Sequence, residues 1–289
     1  MAWLLLSLRR LRGERVPALG LAALVLVTAF VFALAPRLLD RVADTSLRDE
    51  VRAAHPAVAN IQLLREWRIE PGDTTGADPL GPVAETGKDL EADLPGSIEA
   101  LLVDRGFVID SPRWAIRAPT SDPAFARLTI QEAIADHIQY VAGRAPTGQT
   151  RLVADVSPTA EPGATIVSVE VALPAESARA LDLAVGDVVN LELDPSDPLV
   201  GRGAPELRMA IEIVGTYDAP DDTERYWLDD TALIRPSIRS LSGDVKFIDV
   251  GAVVAPDAYP ALVQITDDFH PPFRYTWRYY LDPEDQRVR

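Results

Sequence analysis

The sequence predicts an α+β ectodomain with mixed or antiparallel sheet and short helices, preceded by one transmembrane α-helix and a stalk. Two observations predict it. Residues 16–36, VPALGLAALVLVTAFVFALAP, carry no charged side chain, and as a helix at about 1.5 Å per residue they cover the roughly 30 Å hydrocarbon core of a bilayer. Lipid offers no partner to open backbone groups, so such a run crosses only as a helix bonded to itself. Farther on, stretches of strand-like alternation at 165–173, 188–193 and 207–217 are interleaved with short helical segments. That alternation, with short helices, points to an α+β domain and not to a doubly wound nucleotide fold.

Taken in order, residues 1–15 place Trp3, Leu4, Leu8 and Leu11 on one helical face and turn Arg9, Arg10 and Arg12 away from it. This reads as a cytoplasmic amphipathic helix at the inner membrane surface, and the same residues also fit the charged lead of a signal sequence. Arg9, Arg10, Arg12 and Arg15 stand against Glu14 before the apolar run, whereas Arg37, Asp40, Arg41 and Asp44 nearly balance after it. The positive-inside bias therefore puts Met1 in the cytoplasm and the main domain outside the cell (inner) membrane. A cleaved signal peptide is the competing reading, because Ala33-Leu34-Ala35 has the small-x-small form. Against it, the apolar core exceeds the usual ~7 to 15 residues of a signal.

Residues 37–56 read as a stalk helix. Leu39, Ala43, Leu47 and Val51 recur at four-residue steps, Asp44 and Arg48 are spaced for an i,i+4 pair, Pro36 marks an interruption near the interface and Pro56 an end. The remainder, 57–289, is the extracytoplasmic domain. Residues 57–69 are β-compatible, 71–93 read as a Gly-, Pro- and acid-rich loop, and 96–105 as a helix with Ile98, Leu101 and Leu102 on one side. Strands are expected at 107–109, 114–117 and 127–130, with the type of 132–141 left open. After the strand at 165–173, Pro174 opens a helix with Ala178, Leu181 and Leu183 inward, and Gly186-Asp187 turns the chain into strand 188–193. A loop at 194–205, a strand at 207–217, a strand at 250–254, a helix at 256–263 and a strand at 273–281 complete the order.

Composition excludes several function classes. The chain has 289 residues and a net charge of −16; without residues 1–36 it holds 24 basic and 43 acidic residues, a net of −19. A surface that acidic repels phosphate backbones, so nucleic acid is not an expected partner. There is no cysteine, hence no disulfide framework, thiolate metal site or cysteine nucleophile.

Three features together resemble a known family. A basic amphipathic start runs into one crossing and a stalk; Val141-Ala142-Gly143-Arg144-Ala145-Pro146 contains a Gly-Arg-x-Pro element; and ALPAESARALDLAVGDVVNLELD (Ala172 to Asp194) is followed by IEIVGTYD (Ile211 to Asp218). In this order the segments resemble the amino-terminal half of an FtsX/MacB-type ABC transporter permease, with its MacB-like periplasmic core domain at 57–289. The resemblance implies a permease-type subunit or fragment whose domain couples substrate or partner engagement to a separate cytoplasmic ABC ATPase subunit. Implied partners are that ATPase, membrane lipid, and further permease helices or a second permease subunit, since members of the family continue into later membrane helices and no second apolar run follows here before Arg289. The alternative is a single-pass or secreted binding module without transport.

Apart from the resemblance, Gly186, Asp187 and Gly215 read as architectural residues: a tight turn, a side chain able to bond the following backbone, and a bulge or close backbone approach inside a strand. Motifs of catalysis and nucleotide binding are absent from the sequence. Gly81-Pro-Val-Ala-Glu-Thr-Gly87-Lys88 has one residue too many between its glycines, and Asp89 stands where Ser or Thr should hold magnesium, so it is a coincidental loop. Gly201-Arg202-Gly203 meets Glu206 where a third glycine belongs. No Gly-x-Ser-x-Gly elbow exists, and His55, His137 and His270 pair with no nucleophile. Asp218, Asp221, Asp222 and Glu224 crowd one loop, Asp194 and Asp197 another, and Asp229-Asp230 and Asp267-Asp268 are adjacent; none follows a calcium-loop spacing, and solvated loops are the favoured reading. The expectation is therefore no enzyme, no catalytic, cofactor-binding or metal residues, and no cofactor.

Overall fold

A computed structural model describes residues 15–53, 58, 60–68, 74, 78–117, 122–200, 206–228, 230–240, 246–266 and 271–282. The chain divides into two compact units, the first holding one long helix and the second, residues 55–286, holding the strands.

The first unit is helix α1 (Arg15–Ala53), 39 residues long, or about 58 Å at the α-helical rise. Within it Leu19–Ala43 has a mean hydropathy of 2.4 and is the one helix among the described residues long and apolar enough to cross a membrane. Leu21, Leu24, Phe30 and Phe32 are all exposed, as side chains meant for a lipid phase would be. Pro36 lies inside α1, which continues beyond it to Ala53. Residues 1–14 and Pro56 lie outside the described residues, as do the side chains of Asp44, Leu47, Arg48 and Val51.

The second unit runs β1 (Ile61–Trp67), α2 (Gly81–Ala92), α3 (Gly96–Glu99), β2 (Leu102–Asp110), β3 (Trp114–Ile116), β4 (Ala124–Gln131), β5 (Gln139–Gly143), β6 (Thr150–Ala154), β7 (Thr165–Pro174), α4 (Ala175–Ala180), β8 (Val188–Leu193), β9 (Arg208–Asp218), β10 (Ser237–Ser240), β11 (Lys246–Val254), α5 (Tyr259–Ile265) and β12 (Phe273–Leu281). It is the expected α+β domain with a mixed sheet. Six strands close on themselves in the order β4, β3, β8, β9, β7, β11 and back to β4. The β7–β9 and β11–β4 pairs are parallel and the other four antiparallel. Closure removes free edges from this ring.

The ring has an internal two-fold repeat, legible in its register. Ile116 pairs with Ala124 in the β3–β4 hairpin as Leu191 pairs with Met209 in β8–β9. Val171 of β7 pairs with Ile213 of β9 as Ala252 of β11 pairs with Leu128 of β4. The same correspondence makes Ile116 and Leu191 direct partners, and Ala172 and Val253 direct partners, so these two pairs lie on the pseudo-axis. The hairpins β6–β7 and β10–β11 correspond too, with Leu152 opposite Val167 and Ile238 opposite Ile248. Each half ends with a short helix after its last strand, α4 and α5, introduced by Pro174 and by Pro256. Equivalent positions share burial: Ala126, Leu128, Val171 and Ile116 against Ile211, Ile213, Ala252 and Leu191 all face the core.

A three-stranded extension, β1–β12–β2, joins through the last residues of β4. Strands β2 and β3 lie along the same edge of β4 with a break at Ser111-Pro112-Arg113, where proline has no N–H to offer the ladder. The Ser111 hydroxyl accepts the Leu128 N–H at 3.0 Å and the Ser111 N–H donates to the Leu128 carbonyl at 2.9 Å, so both backbone groups of Leu128 are satisfied beside the break.

Several expectations are corrected. The loop expected at 71–93 contains α2, its Pro82 in the first turn. Trp277 donates its indole N–H to the Val83 carbonyl at 2.9 Å and Tyr279 its hydroxyl to the Gly87 carbonyl at 2.6 Å, so the helix is held by the sheet beneath it. The Gly81–Lys88 segment is thus the start of a helix and not a loop. The helix expected at 96–105 is only four residues, because Leu102 already pairs with Leu281 in the β2–β12 ladder. Residues 132–141 become a 3₁₀ turn at Ile134–Asp136 and the start of β5.

Candidate functional site

Two of the segments on which the family resemblance rests, 141–146 and 211–218, meet in space. Gly143 of β5 lies against β9 with φ 71°, and a Cβ there would come 2.1 Å from the Val214 carbonyl oxygen. A Cβ on Gly215 would come 2.2 Å from the Arg144 carbonyl oxygen. Gly215 is thus the close backbone approach expected from the sequence, and the β7–β9 register shifts beside it. Gly186 has φ 99°, as a tight turn needs. Asp187 bonds the backbone before it, not after: its carboxylate accepts the Ala184 N–H at 2.7 Å.

The acidic clusters dissolve into separate partnerships. Asp194 accepts from the Arg113 side chain at 2.6 Å and Asp197 from the Arg113 backbone at 2.6 Å and Arg127 at 3.2 Å. Burial opposes the charge on Asp194, and hydrogen bonds from Ser196 and Arg113 overcome it, so its pKa is lowered. Asp221 takes the Thr223 N–H at 2.9 Å, Asp222 faces Arg235 at 3.7 Å, and Asp230 pairs with Arg278. Among the described residues no group of three or more His, Cys, Asp or Glu could hold a metal ion. Gly201-Arg202-Gly203, His55, His270, Asp229 and Asp267-Asp268 lie outside the described residues.

His137 and Glu224, 87 positions apart, come together at 2.5 Å. They line a cleft of about 310 Å³ with Asp104, Arg225, Tyr226 and Tyr280. The His137 imidazole stacks on the Tyr226 ring at 3.6 Å between centroids, 11° from parallel. Tyr226 is fixed from three sides: its hydroxyl donates to the Glu132 carbonyl at 2.8 Å, while its own carbonyl accepts from Arg278 at 3.1 Å and from the Tyr280 hydroxyl at 3.2 Å. Burial raises the pKa of both phenols, which stay neutral donors at physiological pH. The segments that supply the cleft carry two of the three left-handed non-glycine residues among the described residues, Ala133 at φ 58° and Leu228 at φ 49°, a conformation costing about 1 kcal/mol each. Sequence spacing could not find this site, because its parts come from β2, the turn after β4, the loop after β9 and β12.

No protein-family model matches the chain, and no curated protein matches it. Among solved structures, the chain is similar to a crystal structure of a domain assigned to a permease protein of Porphyromonas gingivalis, at 13% identity and a TM-score of 0.27, over 78% of this chain and 75% of that one.

Proposed function

We propose that the chain is a membrane-anchored permease-type subunit or fragment of an ABC transporter of the FtsX/MacB type, without enzymatic activity of its own. In this reading the domain engages a substrate or partner outside the cell membrane and couples that event to a separate cytoplasmic ATPase. The observation that carries it is α1: a single helix through Pro36 to Ala53, about 28 Å longer than a hydrocarbon core. A continuous rod of that length is able to transmit displacement from a domain into the bilayer. The sequence has no phosphate-cradling loop, so the nucleotide would be bound by another subunit.

Co-purification of the full chain in mild detergent tests the reading. A P-loop ATPase and a multi-helix membrane protein at near-equal amounts are expected, and recovery of the chain with neither overturns it. Orientation has a direct test, since the chain's lysines, Lys88 and Lys246, are both exposed residues of the domain. An amine reagent that cannot cross the bilayer should label them in intact cells, and protection until lysis would reverse the topology. The cleft at His137 favours a second reading, a single-pass binding module without transport. Binding by a chain that retains its amino terminus and recruits no ATPase would support that second reading.

A further inference from the structure

We infer that the His137–Tyr280 cleft binds a small zwitterion, a molecule bearing both a free ammonium and a carboxylate, such as a short peptide. The inference does not rest on the transport reading. Its starting point is which charges in the cleft are already satisfied. Glu224 is engaged by His137 at 2.5 Å. Arg278, beneath the cleft, is taken up by Asp230 and the Tyr226 carbonyl. Among the described residues, the Asp104 carboxylate and the Arg225 guanidinium form no ion pair, although both line the same space. Asp104 accepts only the neighbouring Arg105 backbone N–H at 2.8 Å, and Arg225 rests 5.9 Å from the centre of the Tyr280 ring with a long 3.5 Å contact to the Leu281 carbonyl.

Water solvates both charges while the cleft is empty. A ligand that displaces that water must replace the lost solvation at each of them. A phosphate-like anion would answer Arg225 and be repelled by Asp104 and Glu224, while a simple amine would answer Asp104 and leave Arg225 bare. A neutral sugar would hydrogen-bond both groups through its hydroxyls but neutralise neither charge. An ammonium facing Asp104 and a carboxylate on the guanidinium fork satisfy both, the second in bidentate geometry. The tyrosine rings that line the same cleft supply an apolar face for the ligand's body. A volume of about 310 Å³ sits at the small end of ligand sites. The backbone of Tyr226 is held by Arg278 and Tyr280, so that part of the cleft wall needs no ordering on binding.

Isothermal titration of the full chain in detergent micelles with glycyl-phenylalanine provides the test. Saturable binding is expected. Acetylating the amine or amidating the carboxylate should each weaken binding about tenfold or more, the loss of one charged hydrogen-bonding contact. Arg225→Gln should weaken the free dipeptide similarly but add little for the amidated one, and Asp104→Asn should do the same with respect to the acetylated one. Both residues are exposed, so melting temperatures should stay at the wild-type value, and the cycle separates a contact from a folding defect. Equal binding of free and doubly blocked dipeptide, preference for inorganic phosphate, or no saturation up to about 10 mM overturns the inference. Each reading can fail alone: dipeptide binding without an ATPase partner removes only the transport reading, and the converse removes only this one.

Discussion

Glu170 sits on β7 with its side chain 9% exposed and takes two hydrogen bonds from the Arg144 guanidinium, at 2.5 and 2.8 Å, plus the Thr147 N–H and hydroxyl at 2.7 Å each. The Arg144 bonds, helped by Thr147 and opposed by burial, hold its pKa down at about 2 against an ordinary 4.5. Because the folded value is the lower one, the stabilisation is complete above about pH 4.5 and disappears as pH falls toward 2. Glu170→Gln should therefore cost about 1–2 kcal/mol at pH 7, discounted for a half-exposed Arg144, and almost nothing near pH 2. Melting curves of both proteins across that range check it, and a gap that does not narrow on acidification contradicts the assignment. Gly215→Ala tests the neighbouring contact. Its Cβ would meet a backbone carbonyl at 2.2 Å, which cannot rotate away, so a loss of about 3 kcal/mol or more is expected in the same melting assay. Gly215 was readable as a close approach because a glycine inside a strand pattern has few other reasons to be there. Glu170 was not, since its partner stands 26 positions away and charge alone does not say which arginine answers which acid.

At the scale of elements, the strands legible in the sequence are those buried along most of their length, which leaves a dense apolar imprint. The strand read at 188–193 and that at 273–281 have the bounds of β8 and β12, and the one read at 207–217 is β9 shifted by one residue. The elements missed lack that imprint. Strands β6 and β10 are edge strands of five and four residues with mostly exposed side chains, and α2 has Gly81, Pro82 and Gly87 in its sequence, each a poor helix former. What holds α2 is Trp277, whose ring would lie 2.7 Å from a Cβ on Gly87. Gly87→Ala raises helix propensity and yet should loosen α2, with faster amide hydrogen exchange across 81–92 and altered tryptophan fluorescence. Unchanged exchange would mean that the contact does not dock the helix. For α1, Val31→Arg places a charge near the middle of the Leu19–Ala43 span at a cost of about 2.5–3.5 kcal/mol for insertion. The variant should become extractable from membranes by alkaline carbonate, and full retention would argue that this helix does not sit across the bilayer.

Across the whole domain the governing fact is the duplicated ring, which no stretch of sequence announces. Ala126 and Ile211, Leu128 and Ile213, Val171 and Ala252 are equivalent by register and alike in burial, yet no pair is identical. The repeat is a repeat of pairing geometry, and hydrophobic side chains of different volume satisfy it once their neighbours adjust. Closure has an energetic consequence. Each ring strand is bonded to a neighbour along both edges, so exposing its amides requires opening the ladder on either side, whereas among the described residues β6 and β10 are each bonded along one edge. Amide exchange should therefore be slowest, at the limit set by global unfolding, in β4 and β9 together and in β7 and β11 together, with β6 and β10 opening first. The pairing on the pseudo-axis sharpens the test: Ile116 and Leu191 face each other across β3 and β8, joining the two halves. Ile116→Ala and Leu191→Ala, combined in a double-mutant cycle, should show a coupling energy above about 0.5 kcal/mol. If one half exchanged well ahead of the other, or if the cycle showed simple additivity, the two halves would be independent units placed side by side, and a domain able to relay force as one body would need a different source of rigidity.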